Sequence, residues 1–142
     1  KVRHELVMLP YYSVFDHITY KVEGDRVELA GQVHRPTLKS SAARVVQQIE
    51  GVSSVTNNIE VLPLSPNDDR IRLGVYRAIY GSSALSRYAL QPVPPIHIIV
   101  RNGQVTLEGV AANEMDRNIA NNQAHSVPGV FSIAQNIAVE KQ

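Results

Sequence analysis

The sequence predicts an α+β fold of two tandem αββαβ units, each a three-stranded mixed sheet with two helices on one face. Three observations predict it. The line GVSSVTNNIEV at 51–61 returns 78 residues later as GVFSIAQNIAV at 129–139, identical at six of eleven positions. At the same offset VELAG (27–31) returns as VTLEG (105–109). Within each copy the hydrophobic period runs from two to 3.6 and back to two, the sign of a hairpin, a helix and a strand. A constant offset that preserves glycine and apolar positions marks an internal duplication.

The first unit spans 1–63. VRHELVML (2–9) predicts a short first helix, stopped by Pro10. HITYKV (17–22) and RVELAGQV (26–33) alternate about the turn EGD (23–25), which predicts a β-hairpin. Leu38, Ala42, Val45, Val46 and Ile49 form one helical stripe, with Gly51 predicted as its left-handed stop. Val52, Val55, Ile59 and Val61 make the last strand. Their period slips near Asn57–Asn58, which predicts a bulge or an irregular strand start.

LPLSPNDD (62–69) is the linker: Pro63 and Pro66 break regular structure, and Asn67, Asp68 and Asp69 are candidate helix caps. The second unit spans 68–142. DRIRLGVYRAIYG (69–81) predicts its first helix, followed by an irregular insertion at 81–95. IHIIV (96–100) and QVTLEGV (104–110) flank Asn102–Gly103, a strong hairpin turn signal because both residues tolerate positive φ. Met115, Ile119, Ala120, Ala124 and Val127 form the second helical stripe, and Val130, Ile133, Ile137 and Val139 the last strand. Gly31 and Gly109, inside strands, predict close packing of a helix on the sheet. Asn58 and Asn136 predict local bonds to backbone at the strand start.

Composition narrows the function classes. The 142 residues are 44% hydrophobic and carry a net charge of +1, so the chain as a whole is not a polyanion binder. The absence of cysteine excludes disulfides, thiolate catalysis and cysteine-ligated zinc. No apolar run approaches the roughly 18 residues of a membrane span. No signal peptide is visible, yet Lys1 is not an initiator Met, so the chain reads as a fragment or a processed form.

Catalytic chemistry finds no support. His4, His17, His34, His97 and His125 have no helical His-x-x-x-His spacing and none recurs at the 78-residue offset. Asp68–Asp69 reads as a cap rather than as a carboxylate pair. Ser53–Ser54 and Ser82–Ser83 lie in no nucleophile motif, and Gly81–Ser82–Ser83 lacks the glycine density and lysine of a phosphate loop. No cofactor or metal site is read.

The residues Val27, Leu29, Gly31, Gly51, Val52, Val55, Asn58, Ile59 and Val61, repeated as Val105, Leu107, Gly109, Gly129, Val130, Ile133, Asn136, Ile137 and Val139, resemble the BON (bacterial OsmY and nodulation) domain. The resemblance covers nearly the whole chain as a tandem pair. It implies an αββαβ fold, no enzyme activity, a periplasmic location, a role in envelope maintenance or stress response, and association with phospholipid membrane surfaces. It also admits a periplasmic protein-binding or chaperone-like module. The shortened first helix of the first unit departs from the family pattern.

One segment departs from an ordinary surface. Between Asp69 and Glu108 there is no acidic residue, while Arg70, Arg72, Arg77, Arg87 and Arg101 fall there with Tyr76, Tyr80 and Tyr88. On the helix at 70–80, Ile71, Val75, Ala78 and Ile79 form the core stripe; Leu73, Tyr76 and Tyr80 lie opposite, bordered by Arg72 and Arg77. Three readings of that second face stand open. It packs against the other unit or the 81–95 loop; it meets a membrane surface, with Arg on lipid phosphate; or it holds a protein partner through Tyr and Arg anchors. The candidate lipid- or partner-binding residues are Arg72, Leu73, Tyr76, Arg77, Tyr80, Arg87 and Tyr88, facing anionic phospholipid or envelope proteins. Nucleic acid is disfavoured by the low total charge.

Overall fold

The computed structural model describes residues 1–140. The chain divides into two compact units. Unit 1 comprises residues 1–12 and 16–62; unit 2 comprises residues 13–15 and the chain from Pro63 on. The sequence places 13–15 in the first unit, but Val14 lies in the second unit's core, with Phe15 packed against it.

Unit 1 runs α1 (Val2–Val7), β1 (His17–Glu23), β2 (Arg26–Val33), α2 (Pro36–Gln47), β3 (Ser54–Asn57) and β4 (Glu60–Val61). β1 pairs antiparallel with β2, and β3 and β4 lie parallel to β2 on its other side. Leu38, Ala42 and Val46 of α2 and Val2 and Leu6 of α1 pack on Ile18, Val27, Leu29 and Val33, so both helices cover one face of the sheet. Pro36 opens α2 at a position whose N–H has no helical partner.

The last strand carries no bulge. β2 keeps one register against β3 and β4, with Leu29 opposite Asn57 and Gln32 opposite Glu60, so only the ladder is interrupted. Asn57 occupies the inward position: its amide donates to the Lys39 carbonyl of α2 (2.8 Å) and its oxygen accepts the Ile59 N–H (3.3 Å). The repeated Asn58 is exposed. In unit 2 the same part falls to Gln135, whose oxygen accepts the Ile137 N–H at 2.7 Å, while Asn136 donates to Glu108. The residue before each repeated Asn therefore makes the local backbone bond, because strand alternation turns the Asn outward.

Unit 2 runs α3 (Pro66–Tyr80), a 3₁₀ turn (Ser86–Leu90), β5 (Ile96–Arg101), β6 (Gln104–Ala111), α4 (Glu114–His125) and β7 (Ser132–Val139). β6 is central, antiparallel to β5 and parallel to β7. The insertion at 81–95 is folded into the unit: Leu85 and Tyr88 are core residues. α4 is capped by Asn113, whose oxygen accepts the Asp116 N–H at 2.8 Å. Its stripe begins one residue later than the sequence suggests. Met115 is exposed and Asp116 buried, in line with Ala120 and Ala124.

Two glycine expectations change. Gly31 (φ +106°) and Gly109 (φ +115°) make a close approach to the neighbouring hairpin strand, not to a helix: a Cβ there would collide with the carbonyls of His17 and Pro95. α2 ends at Gln47, and Gly51 (φ +94°) sits instead in the turn closed by the Val52 N–H on the Ile49 carbonyl at 3.1 Å.

Candidate functional site

α3 is the element that organises the candidate surface. Ser65 caps it, its hydroxyl accepting the Asp68 N–H at 3.1 Å, and Pro66 takes the first helical position. The cap expected of Asp68 and Asp69 is not what those carboxylates form. Asp68 is buried and accepts the N–H groups of Asn102 (2.8 Å) and Gly103 (2.9 Å), both at positive φ in the β5–β6 turn. Asp69 reaches Arg72 at 2.6 Å.

The seven candidate residues separate by burial. Arg72 is 4% exposed; its guanidinium lies between Asp69 and the Val100 carbonyl, to which it donates at 2.8 Å. Tyr80 is 5% exposed; its hydroxyl donates to the Ile96 carbonyl (2.6 Å) and accepts the Ile96 N–H (3.0 Å). Burial pushes its ionisation well above the ordinary phenol range. Tyr76 is half-buried, its ring 6.1 Å from Phe15 and 5.1 Å from Tyr80. Tyr88 is buried; its hydroxyl donates to Asp116 (2.5 Å) and accepts the Ala112 N–H (3.0 Å). Burial first, and then the Asp116 carboxylate, raises its pKa.

Arg87 lies over the Tyr88 ring at 4.6 Å and pairs with Asp116, with about half of its side chain still in solvent. Leu73 and Arg77 are exposed. The single contact face expected from helical periodicity is therefore not formed. Arg72, Tyr80 and Tyr88 are turned into unit 2, because the 81–95 insertion and residues 13–15 supply a second layer against which the tyrosines pack. What remains at the surface of α3 is the stripe Arg70, Leu73 and Arg77, three and four residues apart. Arg70 was outside the candidate set. Its Nη1 donates to the Pro128 carbonyl (3.2 Å) and its Nη2 to Asn67 (3.0 Å), which holds the guanidinium at the exposed end of the helix. The signal that identifies it is the 70/73/77 spacing, read as a separate face.

Around Arg87 lie two more exposed apolar side chains, Leu90 (86%) and Met115 (71%), the latter beside Asp116. In unit 1, buried Asp16 accepts both the His34 N–H (2.8 Å) and its ring Nδ1 (2.7 Å). The residue 78 positions on is Ala112, whose N–H is met by the Tyr88 hydroxyl. Asp16 and Tyr88 thus serve the same backbone position in the two units. Among the described residues no cluster of His, Asp and Glu could hold a metal ion, and no helix is long and apolar enough to cross a membrane.

A family model described as the BON domain matches residues 1–63 and 82–141, which leaves α3 outside the matched segments. No curated protein matches the chain. Among solved structures, the chain is similar to CdsD, a structural protein of the type III secretion system of Chlamydia trachomatis, at 14% identity, 98% coverage of this chain and 90% of the other, with a TM-score of 0.36. The C-terminal domain of CdsD matches at 12% identity, 99% and 96% coverage and a TM-score of 0.33.

Proposed function

Since this chain belongs to the BON domain family, whose members are binding domains associated with phospholipid and the bacterial envelope, we propose that it associates with anionic phospholipid surfaces through α3. It acts by binding, without catalysis, in the periplasm, in envelope maintenance or stress response. The observation that carries this reading is the exposed stripe Arg70–Leu73–Arg77, in a stretch without an acidic residue from Arg70 to Leu107. Leu73, 47% exposed, can enter the headgroup region while the flanking guanidinium groups meet lipid phosphates. Each such cation near an anionic surface contributes about 1 kcal/mol, roughly fivefold in affinity. Arg72, Tyr80 and Tyr88 have a different part: they hold α3 and the 81–95 insertion so that the stripe is presented on a rigid helix.

Co-sedimentation with vesicles of graded anionic-lipid content tests it. Binding should rise with anionic lipid and fall with salt. Arg70→Ala with Arg77→Ala should weaken it by more than about tenfold, and Leu73→Asp should weaken it further, each with an unchanged thermal melt. Binding that ignores these changes would overturn the assignment. A second reading, a periplasmic protein-binding or chaperone-like module, is favoured by Leu90 and Met115 beside Arg87 at one end of unit 2. It predicts that Leu90→Ser and Met115→Ser reduce suppression of client aggregation and leave vesicle binding intact.

A further inference from the structure

The two units treat the outer edge of their hairpins differently. In an antiparallel pair, residues of the non-hydrogen-bonded sites turn their N–H and C=O groups away from the partner strand. With two-residue turns at Gly24–Asp25 and Asn102–Gly103, those residues are Ile18, Tyr20 and Val22 in β1, and Ile96, Ile98 and Val100 in β5. In unit 2 the outward groups are met. Tyr80 takes both groups of Ile96, the Val14 carbonyl accepts the Ile98 N–H at 2.8 Å, and Arg72 donates to the Val100 carbonyl.

In unit 1 only the first of these has a counterpart. The Tyr12 hydroxyl accepts the Ile18 N–H at 3.3 Å. Among the described residues nothing meets the outward main chain of Tyr20 or Val22. The side chains repeat the contrast. Tyr20 and Val22 lie opposite Leu29 and Val27, so they point to the helix-covered face. They are nevertheless 43% and 51% exposed, where their equivalents Ile98 and Val100 are fully buried. The cause is the length of the covering helix: α1 has 6 residues and α3 has 15.

We propose that β1 is a self-association edge, whose occupant is β1 of a second copy of this chain. An unpaired strand edge beside uncovered apolar side chains is a template for another strand. The outward-facing positions dictate which register works. Antiparallel pairing centred on Tyr20 gives the longest overlap. Tyr20 then exchanges both main-chain bonds with Tyr20 of the second copy, and the Val22 N–H meets the Ile18 carbonyl of the second copy. On the helix-side face Tyr20 meets Tyr20 and Val22 meets Ile18, which continues the apolar surface across the junction. On the other face Lys21 falls opposite Thr19 and Glu23 opposite His17, so no like charges meet.

Pairing of one edge strand belongs to the small interface class, below about 1,200 Å². It should therefore be weak, with half-association on the order of 100 µM. Sedimentation equilibrium of the full chain should show a mass rising from 15.7 kDa toward twice that value with concentration. Tyr20→Lys and Tyr20→Glu each place like charges at the two-fold centre and should stay monomeric; mixed together they should associate. In the unaltered protein, hydrogen exchange at the Tyr20 and Val22 amides should slow with concentration while the Ile98 amide does not change. A single monomeric mass up to about 1 mM, or association that persists in both separate variants, overturns the proposal. If either variant fails to fold, the concentration dependence of the two amides decides alone.

Discussion

Tyr80 shows how little of a residue's role its position on a helical wheel reveals. It lies opposite the core stripe of α3, yet its hydroxyl bridges the N–H and C=O of Ile96 inside the unit. Tyr80→Phe leaves both groups of Ile96 without that partner and should lower stability by about 1–3 kcal/mol in urea unfolding, with vesicle binding of the folded protein unchanged. The phenol also sets a pH dependence. Tyr80, Tyr88 and Tyr12 are all raised above the ordinary value of 10.0, with burial the leading cause. A raised folded-state pKa leaves stability intact below pH 10, where the unfolded phenol is also protonated. Stability is then lost as pH climbs above 10, because the unfolded chain ionises first. Alkaline titration followed at the tyrosinate absorbance should show these phenols ionising late, together with loss of tertiary structure. Gly31 and Gly109 are the other residues with no substitute: at φ +106° and +115° against a neighbouring carbonyl, Gly31→Ala or Gly109→Ala should each destabilise by more than about 1 kcal/mol.

At the scale of elements, α3 and the β5–β6 hairpin form one piece through Asp68. Asp68→Ala strands the buried Gly103 amide and the Asn102 amide beside it, and should destabilise by about 2–4 kcal/mol, read in urea unfolding. The sequence makes α3 legible through its 3.6 period and the hairpin through Asn102–Gly103. It does not make their junction legible, because Asp68 and Gly103 are 35 positions apart and a local Ser-Pro-Asn-Asp-Asp pattern reads equally well as capping. The same limit governs the candidate site. Leu73, Tyr76 and Tyr80 share one side of a helical projection, but which of them reaches solvent depends on the 81–95 insertion and on residues 13–15, whose packing carries no periodic signal. The strand slip near Asn57 misleads for the opposite reason: the inward residue is polar, and an apolar pattern skips it. The repeat itself was readable throughout, since Gly31/Gly109 and Gly51/Gly129 answer backbone conformations that both copies must adopt.

On the scale of the whole molecule, duplication has kept the sheets and changed what surrounds them. One hairpin edge is closed by Tyr80, Val14 and Arg72; the other presents Tyr20 and Val22. With a net charge of only +1, any salt sensitivity must come from a local cluster and not from the molecule's overall field. The two proposed activities should therefore part under added salt. Attachment to anionic vesicles should fall steeply between low and high ionic strength, while self-association, built on main-chain bonds, should change little in parallel sedimentation runs. Asp68 carries one further consequence, for how the polypeptide ages. An Asn-Gly dipeptide decays when the glycine nitrogen attacks the asparagine side chain, and that nitrogen must first give up its proton. Here the Gly103 proton is held by a carboxylate inside the fold. Spontaneous deamidation at Asn102 should be slow in the native protein and quicken sharply in Asp68→Ala, as peptide mass spectrometry after prolonged storage would show.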